Sequence, residues 1–153
     1  MIHLSAKSEY AVLALLALSL HAGPGPLQVK MIAQREKIPA RFLEQVMNLL
    51  KKHGFVESVR GPYGGYRLTK PPEQIRLGEI LQAIEGPFVA IDSISRRQSD
   101  SLEPPEEGEN TLLKEVWDEV GTSLREHLDS INFKDLSERK KEMERKQVLM
   151  FHI

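Results

Sequence analysis

Residues 27–69 read LQVKMIAQREKIPARFLEQVMNLLKKHGFVESVRGPYGGYRLT. Leu27 to Arg35 fits a short helix with Val29, Ile32 and Ala33 inward, the spacing of one helical face. Glu36-Lys37-Ile38-Pro39 is a tight break, because proline is tolerated only where a helix starts. A second helix is predicted from Ala40 to His53. Its Leu43, Val46, Met47 and Leu50 fall at i, i+3, i+4 and i+7, one buried face, and Gly54 is a helix stop. Phe55–Val59 and Tyr66–Thr69 are rich in Val, Tyr and Phe. They flank the turn-forming segment Arg60-Gly61-Pro62-Tyr63-Gly64-Gly65, which predicts a β-hairpin closed by Pro71-Pro72.

Two short helices at a tight break, with a hairpin behind them, make a winged helix-turn-helix. The major groove of B-DNA is about 12 Å wide and admits one α-helix. The second helix of such a pair enters it, with side chains near its N-terminus at the base edges. That helix presents Arg41, Phe42, Glu44, Gln45, Asn48, Lys51 and Lys52 around or opposite its apolar face. Arginine can bond guanine bidentately, Gln and Asn adenine, and Glu the cytosine amine. Lys51 and Lys52 lie farther along, at phosphate rather than base. The hairpin tip is the wing. Gly61, Gly64 and Gly65 allow close backbone approach to a duplex, Arg60 suits a narrow minor groove, and Tyr63 the sugar-phosphate backbone. The plain alternative for the tip is an ordinary tight hairpin. A phosphate-binding loop fits less well, since such loops lead into a helix and carry Lys-Ser/Thr.

Outside this stretch, Ser5 caps a predicted helix from Ala6 to His21, apolar almost all round and so central to the packing. Gly78–Glu85 is a further helix with Ile80, Leu81 and Ile84 inward. Residues 92–110 are acidic, serine-containing and broken by Pro104-Pro105, the composition of a flexible loop. A long helix follows from Thr111 to Ser130 with Asn110 as its cap. Leu112, Val116, Val120, Leu124 and Leu128 recur every four residues along it, with Leu113 and Trp117 alongside. Asn132 with Asp135 predicts a capping-box start to a last, charged helix ending near Lys146, beyond which Val148, Leu149, Met150, Phe151 and Ile153 form an apolar tail. That tail either docks on a partner protomer or is a frayed end.

Charge divides the chain in the same way. Of 153 residues, 21 are basic and 22 acidic, a net charge of -1, yet residues 1–91 sum to +4 and residues 92–153 to -5. Residues 30–70 alone carry +6, an asymmetry that suits a polyanion partner or, more blandly, a solvated face. The longest apolar run, Tyr10–Leu20, has 11 residues, short of the ~18–20 needed to span a bilayer. Glu9 beside it and a poor cleavage site argue against a signal peptide, so no membrane association and a cytoplasmic location are expected. Zero cysteines exclude disulfides, thiolate metal sites and a cysteine nucleophile. The five histidines show no metal spacing, and no catalytic triad motif is present. Surface or helix-end roles suit each histidine, with pH or ligand sensing a minor alternative for His127.

Leu43-Glu44-Gln45 together with Val59-Arg60-Gly61-Pro62-Tyr63-Gly64-Gly65-Tyr66 resembles the Rrf2 family of bacterial transcription regulators. Leu4-Ser5-Ala6-Lys7 to Tyr10-Ala11, Leu77-Gly78-Glu79-Ile80, Trp117 and the Ile131–Leu136 stretch match as well, so the likeness spans roughly residues 1–136. It implies a fold that is mainly α with a small β-hairpin wing. Residues 1–91 would be a winged helix-turn-helix DNA-binding domain, 92–110 an acidic flexible loop, and 111–153 a dimerisation helix with a C-terminal helix or tail. It also implies a homodimer on double-stranded DNA at a near-palindromic operator, with reading helices ~34 Å apart. Leu112, Val116, Trp117, Val120, Leu124 and Leu128 would form the dimer interface, although the same stripe could pack within one chain.

Many members of that family hold an iron–sulfur cluster through three cysteines in the loop before the long helix. This loop has none, and Lys114, where some members place a fourth ligand, has no lone pair to donate. No cofactor and no metal site are therefore expected. The loop's acidic residues could hold a hard cation, but they lack any recognised ligand spacing. Lys37 is a further departure, at a turn where many helix-turn-helix proteins have glycine; a left-handed lysine there costs about 1 kcal/mol. The expectation is a sequence-specific dimeric repressor and not an enzyme, with a protein-interaction module on the same scaffold as the rival reading. Without thiols, three routes of control stay open: a small-molecule effector, a protein effector, or none.

Overall fold

A computed structural model describes residues 4–86 and 107–152. Helix α1 (Ala6–Leu20) is capped by Ser5, whose hydroxyl accepts the Ser8 N–H at 3.2 Å. Ala11, Ala14 and Ala17 are buried beside Leu15 and Leu18. Small side chains at these positions let neighbouring helices approach closely, and α1 touches elements from both ends of the chain.

Helix α2 (Val29–Glu36) starts two residues later than its sequence suggests. Leu27 is withdrawn from it by the hairpin: Leu27 N–H donates to the Tyr66 carbonyl and Tyr66 N–H to the Leu27 carbonyl, both at 2.9 Å. Lys37 ends α2 in the left-handed conformation, φ 54° and ψ 42°, as expected for the turn. Helix α3 (Ala40–Lys52) seals Leu43, Val46, Met47 and Leu50 against the core. Strands β1 (Val56–Val59) and β2 (Gly65–Leu68) pair antiparallel, from Val56 opposite Leu68 to Val59 opposite Gly65. A 3-10 turn (Pro72–Gln74) leads to α4 (Leu77–Glu85).

The C-terminal half corrects the sequence reading at two points. Helix α5 runs Glu107–Asp129, so Asn110 lies inside the helix rather than capping it. The expected flexible loop therefore loses residues 107–110 to helix, and residues 92–106 lie outside the described residues. Helix α6 (Phe133–Phe151) opens with the predicted capping box, Asp135 N–H donating to Asn132 at 2.8 Å. It continues past Lys146 through the tail, because Glu, Lys, Arg, Gln, Met and Leu are all good helix formers.

The two ends of the chain share one core. Leu77 N–H donates to the Ile131 carbonyl at 2.8 Å and Phe133 N–H to the Ile75 carbonyl at 3.1 Å. Between these bonds the Phe133 ring is completely buried, in the same cluster as Leu15, Ile32 and Leu43. Gly78 sits so close to Asp129 that a Cβ would collide with its carboxylate. A second tie runs from Lys140 Nζ to Glu36 Oε1 at 2.9 Å, one residue before the left-handed turn.

Phe133→Ala should therefore destabilise the whole protein, helices α1 to α3 included, by about 3–5 kcal/mol. Urea unfolding followed by circular dichroism checks this; a loss below 1 kcal/mol would show that α6 is an appendage.

Candidate nucleic-acid interface

Helix α3 has a hydrophobic face and an outward face because its apolar residues repeat with helical period. Arg41, Phe42, Glu44, Gln45, Asn48, Lys51 and Lys52 are all exposed, so the structure brings every residue expected of the reading helix to its open side. Phe42 is a large apolar side chain that is 53 % exposed. Lys51 differs from the rest, since its ammonium donates to Ser58 Oγ at 2.9 Å and ties the end of α3 to β1.

The wing projects from the same body. Arg60, Gly61 and Tyr63 are exposed, Tyr63 at 87 %, and a cross-strand pair of Glu57 with Arg67 braces the hairpin. Gly64 and Gly65 have an intramolecular reason to lack side chains. A Cβ on Gly64 would meet the Val59 carbonyl oxygen, and one on Gly65 the Leu27 carbonyl. The bridge to Leu27 thus fixes the wing's base, while Gly61, at φ 117° with open space about it, shapes the tip.

The apolar stripe of α5 divides. Leu112, Val116, Trp117 and Val120 are exposed, as is Leu113, whereas Leu124 and Leu128 are half-buried where the helix end approaches α4. Within one chain, these five large apolar side chains of α5 remain 45–65 % exposed.

Sequence reasoning missed a groove beside α3. Ser5, Lys7, Tyr10, Phe42, Gln45 and Glu85 share its lining, and its volume is about 560 Å³. Glu85 closes one side: its Oε1 accepts the Ser8 hydroxyl at 2.6 Å and the Ser5 N–H at 2.8 Å, joining the end of α4 to the start of α1. Bonding from the Ser5 side chain, the Ser8 side chain and the Ser5 backbone holds this carboxyl below its ordinary 4.5, against a smaller opposing effect of burial. The link spans 77 to 80 residues of sequence, which is why periodicity within one helix could not find it. Among the described residues no group of three or more His, Asp or Glu side chains is placed to hold a metal ion, and no helix is long and apolar enough to cross a membrane.

Comparison with known proteins gives a consistent set of likenesses. Residues 4–139 match the Rrf2 family, described as iron-dependent transcriptional regulators. The HTH-type transcriptional regulator IscR of Sodalis glossinidius is 33% identical over 133 residues, 87% of this chain and 77% of that protein. The structure of CymR, the global cysteine regulator of B. subtilis, superposes with a TM-score of 0.72 at 32% identity, covering 91% of this chain and 98% of that one. IscR of T. potens gives 0.71 at 34% identity, covering 93% and 90%.

Because the folded Glu85 carboxyl titrates below its unfolded value, the clamp's stabilisation is complete above about pH 4.5 and is lost as pH falls through the folded value. Glu85→Gln should flatten the acid limb of stability against pH below about 4.5, with little change in its slope near pH 7. Thermal melts from pH 3 to 7 read this out; an unaltered acid limb would count against the clamp.

Proposed function

The chain belongs to the Rrf2 family of transcriptional regulators, and on that premise we propose a homodimeric repressor that reads a near-palindromic operator. It is a DNA-binding transcriptional regulator of the helix-turn-helix type and not an enzyme. The observation that carries the finer reading is the two-faced α3. Its inner side is sealed by Leu43, Val46, Met47 and Leu50, while Arg41, Glu44, Gln45 and Asn48 stand exposed. Arg41, Glu44, Gln45 and Asn48 supply the bidentate donors and acceptors that read base edges, and Phe42 an apolar contact for a thymine methyl. Lys51, Lys52, Gly61, Tyr63, Gly64 and Gly65 serve the phosphate backbone, and Arg60 enters the minor groove.

The second copy binds along the first half of α5. Leu112, Val116, Trp117 and Val120 are covered there, and Leu124 and Leu128 complete the stripe toward the fold's own core. Exposed apolar surface of this kind marks an interaction site, and a two-fold interface suits a near-palindromic target.

An iron–sulfur cluster of the kind held by cysteines does not fit this chain. Thiolates are the donors that select such clusters, and the sequence contains none. Lys114 offers an ammonium where a ligand would need a lone pair. Recognition of DNA here proceeds from the protein's own side chains, with control left to another device.

A gel shift on the DNA upstream of its own gene tests the central reading; no shift at any salt concentration would favour the protein-interaction alternative. Arg60→Ala should weaken operator binding and reduce its salt dependence, and unchanged affinity and slope would refute the wing's role. Gln45→Ala should relax preference at one base pair, by ~1–3 kcal/mol, in a panel of operator variants. Val116→Glu should convert the dimer to monomer in sedimentation equilibrium, whereas an unaltered mass would move the interface elsewhere.

A further inference from the structure

The first turns of α1 carry two side chains, Lys7 and Tyr10, that belong to neither α3 nor the hairpin. Lys7 lies on the first turn of α1 and is exposed; Tyr10 is half-buried, its ring packed on the core. Both line the groove that Phe42 and Gln45 line from α3. Lys7 makes no ion pair among the described residues. Two of the amides at this end are engaged, Ser5 N–H by Glu85 and Ser8 N–H by the Ser5 hydroxyl.

A duplex whose base edges meet Gln45 must carry its sugar-phosphate strand past the mouth of that groove, because the major groove is only about 12 Å wide and α3 fills it. The strand is polyanionic, with one charge per ~1.7 Å of duplex axis. Resting on the proposed operator reading, we propose that the first turns of α1 form a third DNA-contacting element, with the Lys7 ammonium and the Tyr10 hydroxyl bonding the phosphates that flank the bases read by α3. Glu85 also faces the groove and repels phosphate. Its Oε1 is engaged twice, by Ser5 and Ser8, so it acts as a positioning residue that holds α1 beside α3. Lys7 supplies the positive charge that offsets it.

Phosphate contacts and base contacts leave different signatures. A lost ionic phosphate contact lowers affinity on all sequences alike and reduces the slope of log K against log salt by about one. A lost base contact changes preference instead. The test is a salt titration of the full chain on its operator and on variant operators. Lys7→Ala should reduce the slope by about one with base preference unaltered, and Lys7→Arg should restore it. Tyr10→Phe should weaken every operator about three- to tenfold with the slope unchanged. Far-UV melts confirm that each variant is folded. Wild-type slope and affinity in folded Lys7→Ala would overturn the inference while leaving the operator reading intact, provided Gln45→Ala still changes preference. A wild-type protein that binds no duplex would overturn both.

Discussion

The arrangement of this molecule depends on a short antiparallel crossing, Ile75–Leu77 against Ile131–Phe133. Two backbone hydrogen bonds there flank a phenylalanine ring with no solvent exposure. Buried backbone groups must be paired and a buried aromatic ring has few alternative seats, so the crossing has one register. It fixes where α5 leaves the body and where α6 returns along it. The Lys140–Glu36 pair then anchors α6 next to the turn between α2 and α3. Helix α3 and the helix that carries the exposed apolar stripe thus stand on one frame. In the proposed dimer, the spacing of two reading helices follows from that frame rather than from a linker.

Charge follows the same geometry. A net charge of -1 suggests indifference to polyanions, but it is the sum of a basic reading half and an acidic remainder. The basic side chains Arg41, Lys52 and Arg60 are exposed on α3 and the wing, where a duplex can use them. Acidic groups near the interface are mostly engaged. Glu57 pairs with Arg67, Glu36 with Lys140, and Glu85 with two serines. Pairing lowers their opposition to a phosphate backbone without removing the residues that hold the fold.

Local pattern made the helix-turn-helix and the hairpin legible in the sequence. The apolar spacing of α3, the break at Pro39, the left-handed Lys37 and the Asn132 capping box all appear as read. What escaped was non-local. Nothing near Leu27 in sequence announces that Tyr66 will claim it, so the local pattern extends α2 two residues too far. Gly64 and Gly65 read as room for DNA, whereas their missing side chains first admit the protein's own backbone. Residues 107–110 are helical although their acidic composition resembles a solvated loop, because glutamate is also a good helix former. The charged run ending at Lys146 marks no helix stop, and residues beyond it stay helical through Phe151. The groove between α1, α3 and α4 depends on contacts across about 80 residues, beyond the reach of any periodicity.

The placement of Phe133 also sets an order of assembly. Its ring belongs to the cluster that holds α1, α2 and α3, yet it follows α1 by more than a hundred residues. Loop closure on that scale precedes the contacts that reward it. During synthesis, therefore, the chain through α4 leaves the ribosome with a gap in its core and an unpaired backbone edge at Ile75–Leu77. The helix-turn-helix half becomes complete only when the segment after α5 arrives to fill it, so a nascent chain finishes its first half only after α5 has been made.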